Sequence, residues 1–232
     1  MDNKCIAIIT ARGGSKRIPR KNIKEFLGKP IIAYSIEAAI KSEIFDEIIV
    51  STDDIEIKNI AVQYGAEVPF LRSLENSGDY ASTSAVLKEV LGKYHEIGKY
   101  YTYMCCIYPT APFVTAQKLK TALQMLIDTD ADSVIPIVPF SFPPQRGMIM
   151  SGETVCFMYP EYQSSRSQDL NKMYHDSGQY YCVNVERFLK FGKLVMENTR
   201  AIVLDEMEVQ DIDNFTDWKI AELKYRMIFD ND

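Results

Sequence analysis

Residues 5–22 read CIAIITARGGSKRIPRKN, a run in which an apolar strand leads into a loop that carries five cations. The two glycines of the loop allow the backbone to turn tightly and to bring N–H groups close to an anion. The cations that can offset the charge of a polyphosphate are Arg12, Lys16 and Lys21. This segment predicts a phosphate-binding loop after the first strand of an α/β sheet, with a solvated basic turn as the simpler alternative.

Spacing excludes two familiar nucleotide-binding loops. A P-loop requires G-x-x-x-x-G-K-[ST] running directly into a helix, and a dinucleotide-binding loop requires G-x-G-x-x-G. Residues 11–22 contain neither pattern, and Pro19 prevents a helix from continuing directly out of the loop. A phosphate site in this loop therefore requires a backbone arrangement different from those two loops.

Composition limits the class of protein. The chain has 232 residues and is 47% hydrophobic, which is enough to bury a substantial core as a single domain over 1–232. A net charge of −6 argues against a nucleic-acid binder, whose affinity depends on a broad basic face. The sequence shows neither an 18-residue apolar run nor a signal-peptide pattern, so we expect a cytoplasmic protein that does not bind membranes. Its five cysteines lack C-x-x-C spacing and fit reduced core thiols.

Strand and helix patterns alternate along the chain. The strand patterns lie at residues 5–9, 47–50, 101–107, 133–136 and 179–183. The helix patterns begin at Lys29-Pro30, after the capping residue Asp54, and at residues 82, 115 and 214. This order predicts an α/β fold with right-handed crossovers and a doubly wound, mostly parallel sheet. Ligands bind beyond the carboxyl ends of such strands, where Arg12, Asp53 and Tyr108 occur.

Residues 139–178 interrupt this alternation with prolines, glycines and a polar run at 164–169. An irregular segment of this length is typically functional or packs on a partner, and a mobile surface loop is the alternative. We expect it to form an excursion inserted into the sheet before the core resumes at Gln179.

Acidic and histidine residues offer two further candidate sites. In an extended Asp211-Ile212-Asp213 segment both carboxylates share one face, and paired oxygens suit Mg²⁺. The alternative is that the two acids end a strand and cap the helix from residue 214. His175, beside Asp176, can orient a polar ligand or simply form part of a turn.

Four motifs together resemble a known family, the cytidylyltransferases that make CMP-activated nonulosonic acids, which are sialic-acid-like sugars. The motifs lie at residues 11–22, 45–53, 108–112 and 211–213, and the resemblance covers nearly the whole chain. Tyr108 stands where the N-acetylneuraminate enzymes have Gln. Residues 166–170 and 174–179 resemble the pseudaminic acid branch.

The resemblance implies a Rossmann-type fold like that of nucleotide-diphospho-sugar transferases and a reaction of CTP with a nonulosonic acid that releases pyrophosphate. It also implies Mg²⁺ and a homodimer in which the excursion reaches the partner's site. The implied nucleotide contacts are Ala11, Arg12, Gly13, Gly14, Ser15, Lys16, Lys21, Asn22, Arg72 and Ser82. The implied sugar contacts are Tyr108, Arg166, Gln168, His175 and Gln179. Asp211 and Asp213 would bind the metal, and Arg12, Lys21 and Asp211 would serve catalysis.

Two other classes stay open. A uridylyl- or guanylyltransferase for hexose phosphates shares the basic loop and the sheet, but the Lys21-Asn22 pair and the Asp-x-Asp motif argue against it. A module that binds nucleotides without catalysis would keep the loop and lose the metal-binding acids. Within the resembled family, the legionaminic and N-acetylneuraminic acid enzymes are the alternatives.

Overall fold

The computed structural model describes residues 3–229. The strands are β1 (Cys5–Thr10), β2 (Glu25–Phe26), β3 (Lys29–Pro30), β4 (Glu47–Ser51), β5 (Tyr103–Ile107), β6 (Ser133–Pro139), β7 (Met148–Ser151), β8 (Thr154–Phe157), β9 (Tyr174–Asp176), β10 (Tyr180–Asn184) and β11 (Thr199–Val203). The helices are α1 (Ile31–Ser42), α2 (Ile55–Gln63), α3 (Thr83–Glu96), α4 (Ala116–Asp128), α5 (Val185–Phe191) and α6 (Phe215–Phe229).

The central sheet has the strand order β11-β6-β10-β5-β1-β4, and β9 pairs with β6. Strands β4, β1 and β5 are parallel to one another, and β6 is parallel to β11. Strand β10 lies between β5 and β6 and is antiparallel to both, so the five other strands of this order share one direction. The predicted mostly parallel α/β sheet is therefore confirmed.

Helices cover both faces of the sheet. Successive side chains of a strand alternate between the two faces, and every β1 residue up to Ile9 is therefore buried. Ile6 and Ile8 pack in a cluster with apolar residues of α3 and α5. Ala7 and Ile9 pack in a second cluster with residues of α1, α2 and α4. This arrangement confirms the doubly wound fold predicted from the sequence.

Capping residues set the starts of several helices close to where the sequence predicts them. Asp54 accepts hydrogen bonds from two backbone N–H groups at the start of α2, and Thr115 accepts one at the start of α4. The predicted start of α1 at Lys29-Pro30 is wrong, because these residues pair with β2 in a short hairpin and Pro30 has an extended ψ of 135°. The first helix begins instead at Ile31.

The excursion between β6 and β10 contains the exposed hairpin β7–β8, several 3₁₀ turns and the edge strand β9. Strands β9 and β10 both pair with β6, and the chain bulges between them at residues 177–179. The strand β11 and the helix α5 carry no signal that the sequence analysis used. Within residues 3–229, no helix combines the length and the hydropathy required to cross a bilayer.

The parallel strands bring three loops to one edge. In the register of the sheet Thr10 lies opposite Ser51, and Ile9 lies opposite Ile107. The basic loop, the Asp53-Asp54 turn and the loop that begins at Tyr108 therefore emerge side by side, as the sequence predicts.

Candidate active site

A cavity of about 480 Å³ lies at this edge of the sheet. Its walls come from the basic loop, the segment that leads into α3, the loop after β5, and Asp213 near the start of α6. The structure brings together in it eight of the residues selected from the sequence: Arg12, Ser15, Lys16, Lys21, Asn22, Arg72, Tyr108 and Asp213. The cavity joins a cationic end, formed by the basic loop, to an end formed by Tyr108 and its neighbours.

The basic loop is held in place by backbone and carboxylate contacts. The backbone N–H of buried Ala11 donates to the carbonyl of Ser51 at 3.0 Å, and that of Gly13 donates to Asp53 Oδ1 at 2.9 Å. A Cβ atom on Gly13 would lie 2.7 Å from Asp54 Oδ2, so only glycine fits at this close approach. Gly14 has open space around it. The N–H of Gly13, predicted to face a ligand anion, instead meets a carboxylate of the protein itself.

Arg20 anchors the far end of the basic loop. Its backbone is left-handed, with φ of 57°, and its guanidinium contacts both carboxylate oxygens of Asp54 and the carboxylate of Glu56. This pairing, helped by the backbone N–H groups at the start of α2, lowers the pKa of Asp54 to about 2. Arg20 therefore serves to position the loop, whereas its neighbour Lys21 faces the cavity.

Lys21 connects the basic loop to the C-terminal acids. Its ammonium donates to the backbone carbonyl of Ile212 at 2.8 Å. Burial lowers the pKa of Lys21, and the nearby carboxylates of Asp213 and Asp211 oppose that shift without cancelling it. Lys21 and the two acids therefore interact electrostatically as a cluster of one cation and two carboxylates.

The segment around Asp211 and Asp213 belongs to no strand, yet its exposure alternates as the sequence analysis expects. Ile212 is buried, Asp213 lines the cavity and forms an ion pair with Arg17 at 2.6 Å, and Asp211 is exposed. The cap of α6 is Asn214, whose side-chain oxygen accepts from the N–H groups of residues 216 and 217. Neither acid is thus used as the helix cap that the sequence offered as the alternative.

The acidic side chains at this end of the site suit a metal ion that is also held by substrate. Among the described residues, no group of three or more His, Cys, Asp or Glu side chains is arranged to hold a metal by protein ligands alone. Mg²⁺ is commonly held by only one or two carboxylates together with substrate phosphates and water. The pair Asp211 and Asp213, close to the cationic loop, fits that second arrangement.

Asp79 forms ion pairs with the two outer cations of the basic loop, Arg12 and Lys16. Its Oδ1 lies 2.9 Å from Arg12 Nη1, and its other oxygen pairs with Lys16, whose side chain is 78% exposed. These two contacts lower the pKa of Asp79, with Lys16 the larger influence. Asp79 is not among the site residues predicted from the sequence, and the available signal was a Gly-Asp pair in the polar loop ahead of α3.

Three of the predicted nucleotide contacts, Asn22, Arg72 and Ser82, differ in their surroundings. Asn22 is buried and donates to the carbonyl of Arg12 at 2.9 Å. Arg72 is 8% exposed, donates to Ser51 Oγ at 3.1 Å, and has a pKa lowered by burial. Ser82 caps α3 by accepting from the N–H of residue 85 at 3.2 Å, while Ala81 and Thr83 beside it line the cavity.

Tyr108 lies at the other end of the cavity, and Gln179 is its neighbour. The Tyr108 hydroxyl lies 3.3 Å from Thr83 Oγ1, and its backbone N–H donates to the carbonyl of Gln179 at 2.8 Å. Gln179 is buried and donates to the carbonyl of Glu208, and its Oε1 has no hydrogen-bond partner among the described residues. Of these two, only Tyr108 lines the cavity.

The other predicted sugar contacts lie in the excursion, outside the cavity. Arg166, Gln168 and His175 are all exposed. Gln168 lines a separate cavity of about 300 Å³ within the excursion, and His175 Nδ1 contacts the carbonyl of Asp176 at 2.9 Å. The structure of one chain does not bring these three residues to the Tyr108 end of the site, and their role stays a prediction.

Comparison with known proteins gives a consistent picture. A family model described as Cytidylyltransferase matches residues 6–185. A pseudaminic acid cytidylyltransferase from Campylobacter jejuni is 40% identical over 228 residues, covering 98% of this chain and 97% of the relative. A CMP-N,N'-diacetyllegionaminic acid synthase from Legionella pneumophila is 32% identical over 228 residues, covering 94% of this chain and 95% of the relative. The structure of a CMP:2-keto-3-deoxy-manno-octonic acid synthetase complexed with CTP superposes with a TM-score of 0.70, covering 98% of this chain and 99% of that one. At 17% identity, this last likeness shows the fold.

Proposed function

The chain belongs to the cytidylyltransferase family, and we propose that it transfers CMP from CTP to the anomeric hydroxyl of a nonulosonic acid, pseudaminic acid, with release of pyrophosphate. The observation that carries this proposal is the cavity, which joins a cationic loop suited to a triphosphate to a site around Tyr108. The likeness to a pseudaminic acid enzyme over nearly the full length supports pseudaminic acid as the sugar.

Positioning and charge neutralisation account for the chemistry. The anomeric hydroxyl attacks the α-phosphorus in line, and the protein has to hold the two reactants together and to stabilise the charge that develops on pyrophosphate. Lys21 and Arg12 face the cavity and supply positive charge at the triphosphate end, with Lys16 assisting. The loop needs little reorganisation because the Asp53 and Arg20 contacts already hold its backbone.

Mg²⁺ forms part of the proposal. Asp211 and Asp213 would hold the ion together with triphosphate oxygens, since these carboxylates lie close to Lys21 at the cationic end of the site. When bound, the ion would neutralise negative charge on the triphosphate. Asp211 thereby takes the catalytic role that the resemblance assigns to it.

We further propose a homodimer formed through the excursion. Exposed apolar side chains are concentrated there: Phe140, Phe142, Met148, Ile149, Met150, Val155, Met158, Tyr159, Met173 and Tyr174. A concentration of exposed apolar side chains of this kind is typical of a protein interface. Arg166, Gln168 and His175 would then approach the sugar site of the partner chain, where a guanidinium matches the sugar carboxylate.

A cytoplasmic location completes the proposal. Four of the five cysteines are buried and all five are free. Cys105 Sγ and Cys182 Sγ lie 3.0 Å apart on neighbouring strands without a disulfide bond. Cysteines that serve as small buried core residues fit a protein of a reducing compartment.

A substrate panel tests the function. The purified enzyme is given CTP, UTP or GTP with Mg²⁺ and with pseudaminic, legionaminic or N-acetylneuraminic acid, and the sugar nucleotide and pyrophosphate are both quantified. We expect turnover with CTP, and a kcat/KM for pseudaminic acid well above that for N-acetylneuraminic acid. Each mismatched polar contact costs roughly 1–3 kcal/mol, because a polar group of the site is left unpaired.

The outcomes separate the competing functions. Equal efficiency with N-acetylneuraminic acid would contradict the choice of sugar and leave the cytidylyltransferase activity standing. Turnover of UTP or GTP with hexose phosphates in place of CTP would contradict the proposed reaction. Nucleotide binding without any pyrophosphate release would indicate a binding module.

A further inference from the structure

A single carboxylate on α3 holds the turn that forms one wall of the cavity. Glu89 Oε1 accepts from the backbone N–H of Ser73 at 2.8 Å, and Oε2 accepts from Ser73 Oγ at 2.8 Å and from Asn76 Nδ2 at 2.5 Å. Lys93, one turn further along the helix, lies 2.8 Å from Oε1. Glu89 therefore ties the 3₁₀ turn Glu75–Ser77 to α3 through three hydrogen bonds.

The orientation of the Asn76 amide follows from the groups around it. Burial opposes ionisation of Glu89, but the hydrogen bonds from Lys93 and from the turn outweigh it and lower the pKa of Glu89 to about 2. An ionised carboxylate only accepts, so the amide nitrogen of Asn76 has to face it. The Ser73 hydroxyl donates its proton to Glu89 and accepts from the backbone N–H of Asn76 at 3.3 Å. The amide oxygen of Asn76 accepts from no protein donor within residues 3–229.

The wall that carries Asn76 suits a flat base with a polar edge. Asn76 and Arg72 line the cavity together with the apolar side chains of Ala81 and Val86, beside the basic loop. Apolar side chains can pack on the face of a base, while a free acceptor such as Asn76 Oδ1 requires a donor on the base edge. Cytosine has such a donor, its 4-amino group, at the position where uracil has a carbonyl oxygen.

We propose that Asn76 accepts a hydrogen bond from the 4-amino group of cytosine through Oδ1, and that Glu89 is the positioning residue that keeps the amide in this orientation. This inference rests on the proposed function and deepens it, because it names the side chain that separates CTP from UTP. With UTP two acceptors face each other. The Asn76 amide cannot turn round to relieve this, because a carboxylate holds its nitrogen.

The variant Glu89→Gln reverses the orientation of Asn76. The backbone N–H of Ser73 and the ammonium of Lys93 only donate, which keeps the Gln oxygen at the Oε1 position and brings its NH₂ group to Asn76. Asn76 then turns its oxygen toward the Gln and presents its own NH₂ group to the cavity, which suits uracil. By contrast, Asn76→Ala removes the amide altogether.

Calorimetric titrations with CTP and with UTP, in the presence of Mg²⁺ and without sugar, test the proposal. We expect the Kd for CTP to rise about tenfold in both Glu89→Gln and Asn76→Ala, while the Kd for UTP falls in Glu89→Gln and stays unchanged in Asn76→Ala. The double variant should have the CTP-to-UTP ratio of Asn76→Ala, because Glu89 acts on the base through Asn76. A purely structural role of Glu89 would weaken both nucleotides alike and leave the ratio unchanged.

Glu96→Gln is the matched control. Glu96 lies on the same helix, is exposed, and lies outside the cavity. We expect wild-type affinities for both nucleotides from this variant. Thermal unfolding of every variant shows whether the fold is intact. Should Glu89→Gln fail to fold, Asn76→Ala carries the test, because residue 76 lies in a partly exposed turn outside the core.

Two results overturn the inference in distinguishable ways. A wild-type enzyme that makes the CMP-sugar, with a CTP-to-UTP ratio that neither Glu89→Gln nor Asn76→Ala changes, overturns the role of these two residues and leaves the proposed function intact. A folded wild-type protein that binds CTP no better than UTP and transfers CMP to no sugar acid overturns the proposed function, and the inference with it.

Discussion

Removing the charge of Lys21 is the sharpest test of the phosphate-binding loop. The side chain lies half-buried between the loop and the segment of Asp211 and Asp213, with its ammonium 2.8 Å from the Ile212 carbonyl. Lys21→Met keeps most of the aliphatic stem and deletes only the charged end. The variant should fold, because it alters a loop contact rather than the core.

The size of the effect follows from the surroundings of the ammonium. A charge-assisted hydrogen bond to a phosphate in a partly desolvated site contributes about 3 kcal/mol to stabilising the departing pyrophosphate, or about a hundredfold in rate. Lys16 is mostly exposed, so water screens its charge, and Lys16→Met should cost less than Lys21→Met. The loss of the Ile212 contact should lower the free energy of unfolding by about 1 kcal/mol.

The assay is continuous pyrophosphate release at saturating and subsaturating CTP. Lys120→Met, an exposed lysine on α4 that lies outside the site cavity, is the control and should behave as wild type. Lys21→Arg should recover much of the rate because it keeps the charge. A folded Lys21→Met enzyme with wild-type turnover would refute the role of this loop in binding the triphosphate.

The pH dependence offers an independent check on Lys21. Its pKa in the folded protein is lowered by burial, so the ammonium loses its proton at a lower pH than an ordinary lysine. The value of kcat/KM reports ionisations of the free enzyme and should therefore fall on the alkaline side before the usual lysine range is reached. The Lys21→Arg variant should lack this alkaline decline, since arginine stays protonated. An identical decline in both enzymes would assign it to another group.

Three further predictions address the metal pair, the outer cations and the dimer. Asp211→Asn and Asp213→Asn should each lower activity and raise the Mg²⁺ concentration required, and wild-type Mg²⁺ titrations in both would remove the pair from the metal site. Asp79→Asn should lower the KM for CTP about threefold at low salt, because the nucleotide no longer has to displace a competing carboxylate; an unchanged KM would argue against that competition. Met150→Lys should shift the protein to a monomer in sedimentation, whereas Val62→Lys, also at an exposed apolar position but on α2, should not; a dimer that survives Met150→Lys would place the interface elsewhere.

Local patterns in the sequence predicted the sheet and the position of the site. Strands such as β1 are continuous apolar runs because helices bury both of their faces. Such runs can be recognised in the sequence alone. Caps at Asp54 and Thr115 depend only on residues a few positions away. The rule that ligands meet parallel strands at their carboxyl ends then located the loops of Arg12 and Tyr108 at one edge.

The errors arose where a local pattern competed with distant contacts. Lys29-Pro30 has the signature of a helix start, but pairing with β2 holds it extended. Asp211-Ile212-Asp213 keeps the predicted alternation, with Ile212 buried, but the sequence did not predict its partners, Lys21 on the Ile212 carbonyl and Arg17 on Asp213, some two hundred residues earlier in the chain. The antiparallel insertion of β10 between β5 and β6 likewise depends on pairing over long separations.

The sequence by itself determined the α/β class, the cationic loop and the set of residues that can handle a nucleotide, because these depend on residue type and short-range spacing. Only the tertiary structure decided which charges meet. In the structure Asp79 pairs with the outer cations of the basic loop, and Arg20 pairs with Asp54. Asp176 accepts a hydrogen bond from Tyr181, whose ring packs against that of Tyr108. Such contacts join residues far apart in the chain, and their energies depend on distance, direction and burial, none of which a linear sequence specifies.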